Sequence, residues 1–245
     1  MINRNKIFYG WWVVLSSSLV VFGVAGANFS FGVFLKPMLE DFPDWNRGML
    51  ATAFGTTFML TGILRPLAGY LTDRYSPKAV ALSGVVIVAA MMFCLPYIQN
   101  LYHLFLLFGV MSVGFTLSMG PTLTKIVSSW FYRSRGVTLG FVNGGGSVGG
   151  MVLVPAASAL VIWTTWQDAY RFLGALLILV VLPIGFFLIK NKPQDVGLQP
   201  EGERVEPDGG KDAPRDSESR AYQDSTFKEA LRTPLFWKLT AGYFV

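Results

Sequence analysis

The stretch Ala79–Tyr97, AVALSGVVIVAAMMFCLPY, holds no charged residue. Wound as a helix at ~1.5 Å per residue it reaches about 28 Å, close to the ~30 Å hydrocarbon core of a bilayer. Five comparable runs flank it, Trp11 to Met38, Gly48 to Leu71, Leu101 to Ser129, Gly136 to Trp163 and Tyr170 to Ile189, and a seventh opens at Leu235. Lipid offers the backbone no hydrogen-bond partner, so each run must satisfy itself as a helix. The reading is an all-α membrane protein, a six-helix bundle followed by the start of a seventh helix. Charged residues make up 14% of the chain, against about 25% in a soluble domain. The net charge of +5 belongs to loops at the membrane face, and no nucleic-acid partner is expected. The single cysteine, Cys94, can form no intrachain disulfide.

The first run follows Arg4 and Lys6 and passes through Ala25-Gly26-Ala27, which imitates a secretory signal and its cleavage site. The apolar character continues through Phe29, Phe31, Val33, Phe34 and Leu35, too long for a signal core, so it reads as a retained first helix, tilted or bent. Basic residues alternate between loops: Arg4, Lys6, Arg74, Lys78, Arg133, Arg135, Lys190 and Lys192 on one side, only Arg47 and Arg171 on the other. Lys and Arg in short loops stay on the cytoplasmic side, which predicts a cytoplasmic N-terminus in a multi-pass protein of the plasma (inner) membrane.

Residues 1–192 are expected to form the six-helix transmembrane bundle. From Pro193 the apolar content collapses, and residues 193–226 read as a disordered cytoplasmic linker, because such a composition buries too little surface to offset ordering entropy. Residues 227–245 read as an amphipathic lead-in and a truncated seventh helix. The chain then ends inside an apolar run, which reads as the front half of a longer parent whose second six-helix half is missing.

Between the second and third runs lies Gly69-Tyr70-Leu71-Thr72-Asp73-Arg74-Tyr75-Ser76-Pro77-Lys78. It resembles the loop signature of the major facilitator superfamily, roughly G-x-L-x-D-R-x-G-[RK]-[RK], departing from it at Ser76 and Pro77. Gly69 is expected to allow close helix approach, Asp73 to engage a base or a facing helix N-terminus, and Arg74 and Lys78 to remain in the cytoplasm, together forming a gating loop. Within that superfamily the chain is similar to the monocarboxylate transporters and oxalate/formate antiporters. The resemblance is carried by Tyr9 to Val14, Phe31 to Pro37, Trp130 to Gly136 with the glycines beyond it, Pro193 to Pro200 and Ala230 to Trp237.

Gly144-x-Gly146-x-x-Gly149 fits a dinucleotide fingerprint in form, yet it lies within a membrane-length apolar run and not in a strand–helix unit. No cofactor is therefore assigned. Gly140, Gly144, Gly145 and Gly149 instead supply small-residue spacings that let the fifth helix meet a neighbour at backbone distance. The resemblance names the eighth helix, beyond this chain, as that neighbour. A helix broken at Gly144 to Gly146 is the alternative.

The resemblance places a substrate site near the membrane midplane between two halves. Polar residues deep in helices are then the candidates: Asn28, with Phe31 and Gly32 one turn on; Ser118, before the Gly120-Pro121 break; and Asn143. Thr116 and Ser147 read more simply as interhelical hydrogen bonders. The resemblance gives Lys36 a role in sensing substrate anion and proton, while its place near a helix end equally suits a side chain snorkelling to the interface. Arg65, about 12 Å inside the end of its helix, should face a cavity or snorkel, and Lys125 reads as interfacial. No helix interior carries Asp or Glu, so a proton relay would rest on Lys36 or on the missing half. Nor does this half offer a midplane cation to match an anionic substrate, and the resemblance suggests an arginine in the eighth helix.

These readings point to secondary active transport of small organic acids of the monocarboxylate type, proton-coupled and working by alternating access. The partners would be a small organic anion, a proton, the bilayer and the missing half. The alternatives are a carrier for a sugar, amino acid or drug, and a non-transporting half-size membrane protein. No metal cluster or nucleophile–base set suggests an enzyme.

Overall fold

The computed structural model describes residues 8–201 and 233–234. The chain divides into two units, Met1–Glu203 and Arg204–Val245, and the bundle belongs to the first. Arg4, Lys6, most of the expected linker and nearly all of the lead-in with its truncated helix lie outside the described residues.

Helix α1 (Gly10–Phe29) is followed after Ser30 by α2 (Phe31–Asp41), then α3 (Arg47–Arg74), α4 (Pro77–Cys94), α5 (Leu101–Ser118), α6 (Pro121–Trp130), α7 (Arg135–Trp163), α8 (Trp166–Leu176) and α9 (Leu182–Leu188). The architecture is an all-α membrane bundle. Among the described residues the nearest thing to a strand is an isolated bridge between Phe131 and Glu201.

Local chemistry sets the boundaries. Asn46, Ser76, Asn100 and Thr165 cap α3, α4, α5 and α8 by accepting from the N–H of the residue three further on. The departures from the loop signature thus have a local use: Ser76 is the N-cap of α4 and Pro77 its first residue, where a missing N–H costs nothing. The long first run is bent into α1 and α2 at Ser30, whose hydroxyl donates to Gly26 O (2.8 Å). The fourth run breaks between α5 and α6, where Gly120 takes φ +61°, a left-handed conformation favoured by glycine. In the sixth run Pro183 cannot donate to the carbonyl four residues back, and a π-helical turn, Leu177–Val181, precedes it. The fifth run stays continuous through Gly144–Gly146, against the broken alternative.

Among the described residues five stretches are long and apolar enough to cross a membrane: Gly10–Asp41, Pro77–Tyr97, Leu101–Trp130, Arg135–Trp163 and Trp166–Leu188. The expected sixth, α3, has the length but lies outside this group. It carries Thr52, Thr56, Thr57, Thr61 and Arg65 within its span, so its polarity, not its extent, separates it from the others.

Glycines bring two helix pairs, α4 with α5 and α1 with α7, to backbone distance. A Cβ placed on Gly84 of α4 would lie 2.6 Å from Gly114 O of α5, and one on Gly114 would lie 2.8 Å from Gly84 O. A Cβ on Gly26 of α1 would lie 2.7 Å from Gly149 O, and one on Gly149 would lie 2.9 Å from the carbonyl carbon of Phe22. Around these contacts Val13, Val20, Val24, Phe34, Val85, Val88, Phe108 and Leu123 fill the core.

The expected linker does not begin as coil. Pro193 is buried, Pro193–Val196 forms a 3-10 turn closed by Gly197 at φ +69°, and the chain returns to the corner between α6 and α7. There Glu201 donates its N–H to Trp130 O (2.9 Å) and accepts at its own carbonyl from Tyr132 N–H (3.0 Å).

Candidate functional site

A cleft of about 300 Å³ opens among α1, α3, α5, α6 and α7. Its polar wall comprises Asn28, Thr57, Thr61, Arg65, Thr116 and Asn143, and Phe29, Phe58 and Phe115 supply apolar surface. Thr57, Thr61 and Arg65 recur every fourth residue, which stacks them on one face of α3. The Asn28 Oδ1 and Thr57 Oγ1 atoms are buried without a hydrogen-bond partner among the described residues. A buried polar atom left unpaired costs about 1–3 kcal/mol, so this wall carries hydrogen-bonding capacity that the bundle does not use. By contrast Thr116 donates to Ser112 O (2.7 Å) and Asn143 Nδ2 to Leu139 O (3.0 Å). The broken link Met119-Gly120-Pro121 completes the wall.

The structure brings Asn28 and Asn143 together in this cleft and directs the other candidates elsewhere. Ser118 is fully buried, donates to Gly114 O (2.7 Å) and packs on Gly84, because it sits on the α4-facing side of α5. Phe31 is core, stacked on Phe54 at 4.2 Å and edge-on to Phe108, which ties α2 to α3 and α5. Gly32 has no atom within 4 Å of where a Cβ would stand. Lys36 is exposed, with its ammonium 3.8 Å from Glu40. Arg65 corrects the expectation that this half has no cation at the site: it lines the cleft. Its signal was legible in the Thr57, Thr61, Arg65 stripe.

A second polar region lies at the end of the bundle that carries Asp73, and the gating-loop candidates gather there. Asp73 is paired with Lys125 Nζ at 2.6 Å, and the same ammonium reaches Thr72 O (3.3 Å). Thr72 and Thr122 hydroxyls meet at 3.0 Å, so α3 and α6 are joined side by side. Arg74 donates to the Tyr70 hydroxyl (2.8 Å). Asn191 was missed by the sequence reading. Its Oδ1 accepts from Lys78 N–H (2.9 Å) while its Nδ2 donates to Ser76 Oγ (2.9 Å), and Lys78 Nζ donates to Phe186 O. Gly69 differs from expectation: no atom lies within 4 Å of its would-be Cβ, so no helix approaches it among the described residues.

The glycines of α7 divide between two faces. Gly145 and Gly149 pack on the backbone of Ser18 and Phe22, so their neighbour is α1 and not a helix beyond the chain. Gly140 and Gly144 have nothing within 4 Å of a would-be Cβ and border a broad apolar groove of about 550 Å³ with Leu15, Leu19 and Phe22. That groove is the larger hollow, yet the only hydrogen-bonding side chain in its lining is Ser18, which donates to Phe141 O (3.2 Å). The polar chemistry lies in the smaller cleft.

The family model of the Major Facilitator Superfamily matches residues 17–245. Among curated proteins, the uncharacterized MFS-type transporter YcxA of Bacillus subtilis is 28% identical over 75% of this chain and 45% of its own length. Monocarboxylate transporter 7 of Homo sapiens is 27% identical over 71% of this chain and 33% of its own length. The oxalate:formate antiporter of Oxalobacter formigenes is 21% identical over 96% of this chain and 51% of its own length. The chain spans about half or less of the length of these relatives.

Proposed function

This chain belongs to the Major Facilitator Superfamily, and from that premise we propose that it forms one half of a carrier moving small organic acids across a membrane by alternating access. The cleft carries the proposal: it is a polar recess with unspent hydrogen-bonding atoms at Asn28 and Thr57, within an otherwise apolar bundle. Asn28 and Asn143 bind the solute from α1 and α7. The names of two relatives, a monocarboxylate transporter and an oxalate:formate antiporter, bring carboxylates into the reading.

In this reading the second half closes the cleft and meets the open face of α7 at Gly140 and Gly144. The Asp73–Lys125 pair, with Arg74 and Lys78, latches the gating loop in one state and releases it in the other. The exposed pair adds under about 1 kcal/mol, which suits a contact that must break in each cycle. The basic end faces the cytoplasm. The cleft lining contains no carboxylate, histidine or lysine, so the group that couples a proton lies outside the cleft, at Lys36 or in the second half.

The test is uptake of labelled lactate, pyruvate and oxalate into proteoliposomes holding the full-length protein, with and without an inward pH gradient. Saturable uptake of at least one acid, faster with the gradient, is expected. Absence of uptake for every acid refutes the reading in favour of a carrier for another solute.

A further inference from the structure

We infer that Arg65 is the anion-recognising group of the cleft, a specificity residue that selects a monocarboxylate over a neutral isostere; this rests on the organic-acid reading above. Three other cations of the bundle stand beside carboxylates: Lys36 by Glu40, Lys125 by Asp73 and Arg171 by Asp168. Arg65 has no hydrogen bond or ion pair to any described residue, and the lining of its cleft contains no Asp or Glu. The cleft therefore holds one uncompensated positive charge. One carboxylate neutralises it, and the second charge of a dianion would find no partner in this half.

Geometry agrees with charge. The guanidinium is a planar fork of donors that matches a carboxylate two bonds at a time. Thr61 and Thr57 stand one and two helical turns along α3 on the same face and line the same cleft. Asn28 and Asn143 line the cleft from α1 and α7, and Phe58 and Phe115 give a short carbon chain an apolar wall. A small acid thus finds a cation for its head and both amide and apolar surface for its tail.

The experiment compares wild type, Arg65→Lys and Arg65→Gln in the full-length protein, reconstituted in proteoliposomes. Uptake of labelled pyruvate and lactate is measured alone and in competition with the free acid anions or with pyruvamide and lactamide, which keep the shape and lose the charge. For Arg65→Gln the half-saturation concentration for the acids should rise about 10-fold or more, the scale of a lost charge-assisted hydrogen-bond pair. The preference for acid over amide should disappear as well. Arg65→Lys, which keeps the charge but not the fork, should retain part of that preference. A merely structural arginine would lower uptake without moving the ratio. An Arg65→Gln protein with the wild-type acid-over-amide ratio overturns this inference and leaves the transport reading standing. A wild type that takes up no organic acid overturns both.

Discussion

Replacing Gly149 by alanine tests the packing that positions the cleft. The added methyl would stand 2.9 Å from the carbonyl carbon of Phe22 and 3.0 Å from its Cα, where carbon–carbon contacts are at ease only from about 3.5 Å. These atoms and the Phe22 carbonyl oxygen, which lies nearer still, are all main chain, so no side chain can turn aside, and α7 would have to withdraw from α1 by roughly one ångström. Overpacking against main chain sits in the upper part of the usual range, about 2–3 kcal/mol, offset by ~1 kcal/mol of improved helix propensity, for a net loss of about 1–2 kcal/mol. At roughly 2–4 °C per kcal/mol for a domain of this size, the melting temperature should fall by about 2–8 °C. The control is Gly144→Ala, where no atom lies within 4 Å of the new methyl and propensity alone acts, leaving stability level or slightly raised. Both variants of this chain are heated in detergent and the surviving monodisperse fraction is read by size-exclusion chromatography. If the two melt together, α1 and α7 are not in backbone contact and the packing described above is wrong.

Asn28→Ala and Asn143→Ala should each weaken acid uptake by the full-length protein about 10-fold, in proportion to a hydrogen bond to a charged group, without altering the melting temperature by more than the control. Asp73→Asn and Lys125→Met, taken singly and together, should show a coupling below about 1 kcal/mol in thermal stability, yet each should slow transport; a large stability coupling would contradict the release of this pair in each cycle. Ser118→Ala should leave half-saturation for acids unchanged, since its hydroxyl is turned to Gly114 O, and a shift in half-saturation would show that it reaches solute after all.

Much of the bundle was legible because its signals are local. Apolar length marked most of the spans, and the caps at Asn46, Ser76, Asn100 and Thr165 follow from residue type next to an apolar run. The Gly120-Pro121 break was visible for the same reason. The site was less legible because it depends on azimuth around each helix. Thr116 and Ser118 are two residues apart, about 200° around α5, and only the former faces the cleft. The identity of partners far apart in sequence left no trace: Asp73 was expected to engage a base and Gly149 a neighbouring helix, but nothing in the local pattern foretold that the base is Lys125, that Asn191 fastens Ser76 and Lys78, or that Gly149 packs on Phe22.

The return of Glu201 to the α6–α7 corner has a mechanical meaning. Among the described residues the last α-helix of the bundle ends at Leu188, yet the chain is pinned again at Glu201, to Trp130 and Tyr132. The dozen or so intervening residues could span about 40 Å if pulled straight, and the anchor takes that slack out of the leash. Any pull arriving along the polypeptide beyond Glu201 is delivered first to the end of α6 and the corner that leads into α7, the helix that brings Asn143 to the cleft.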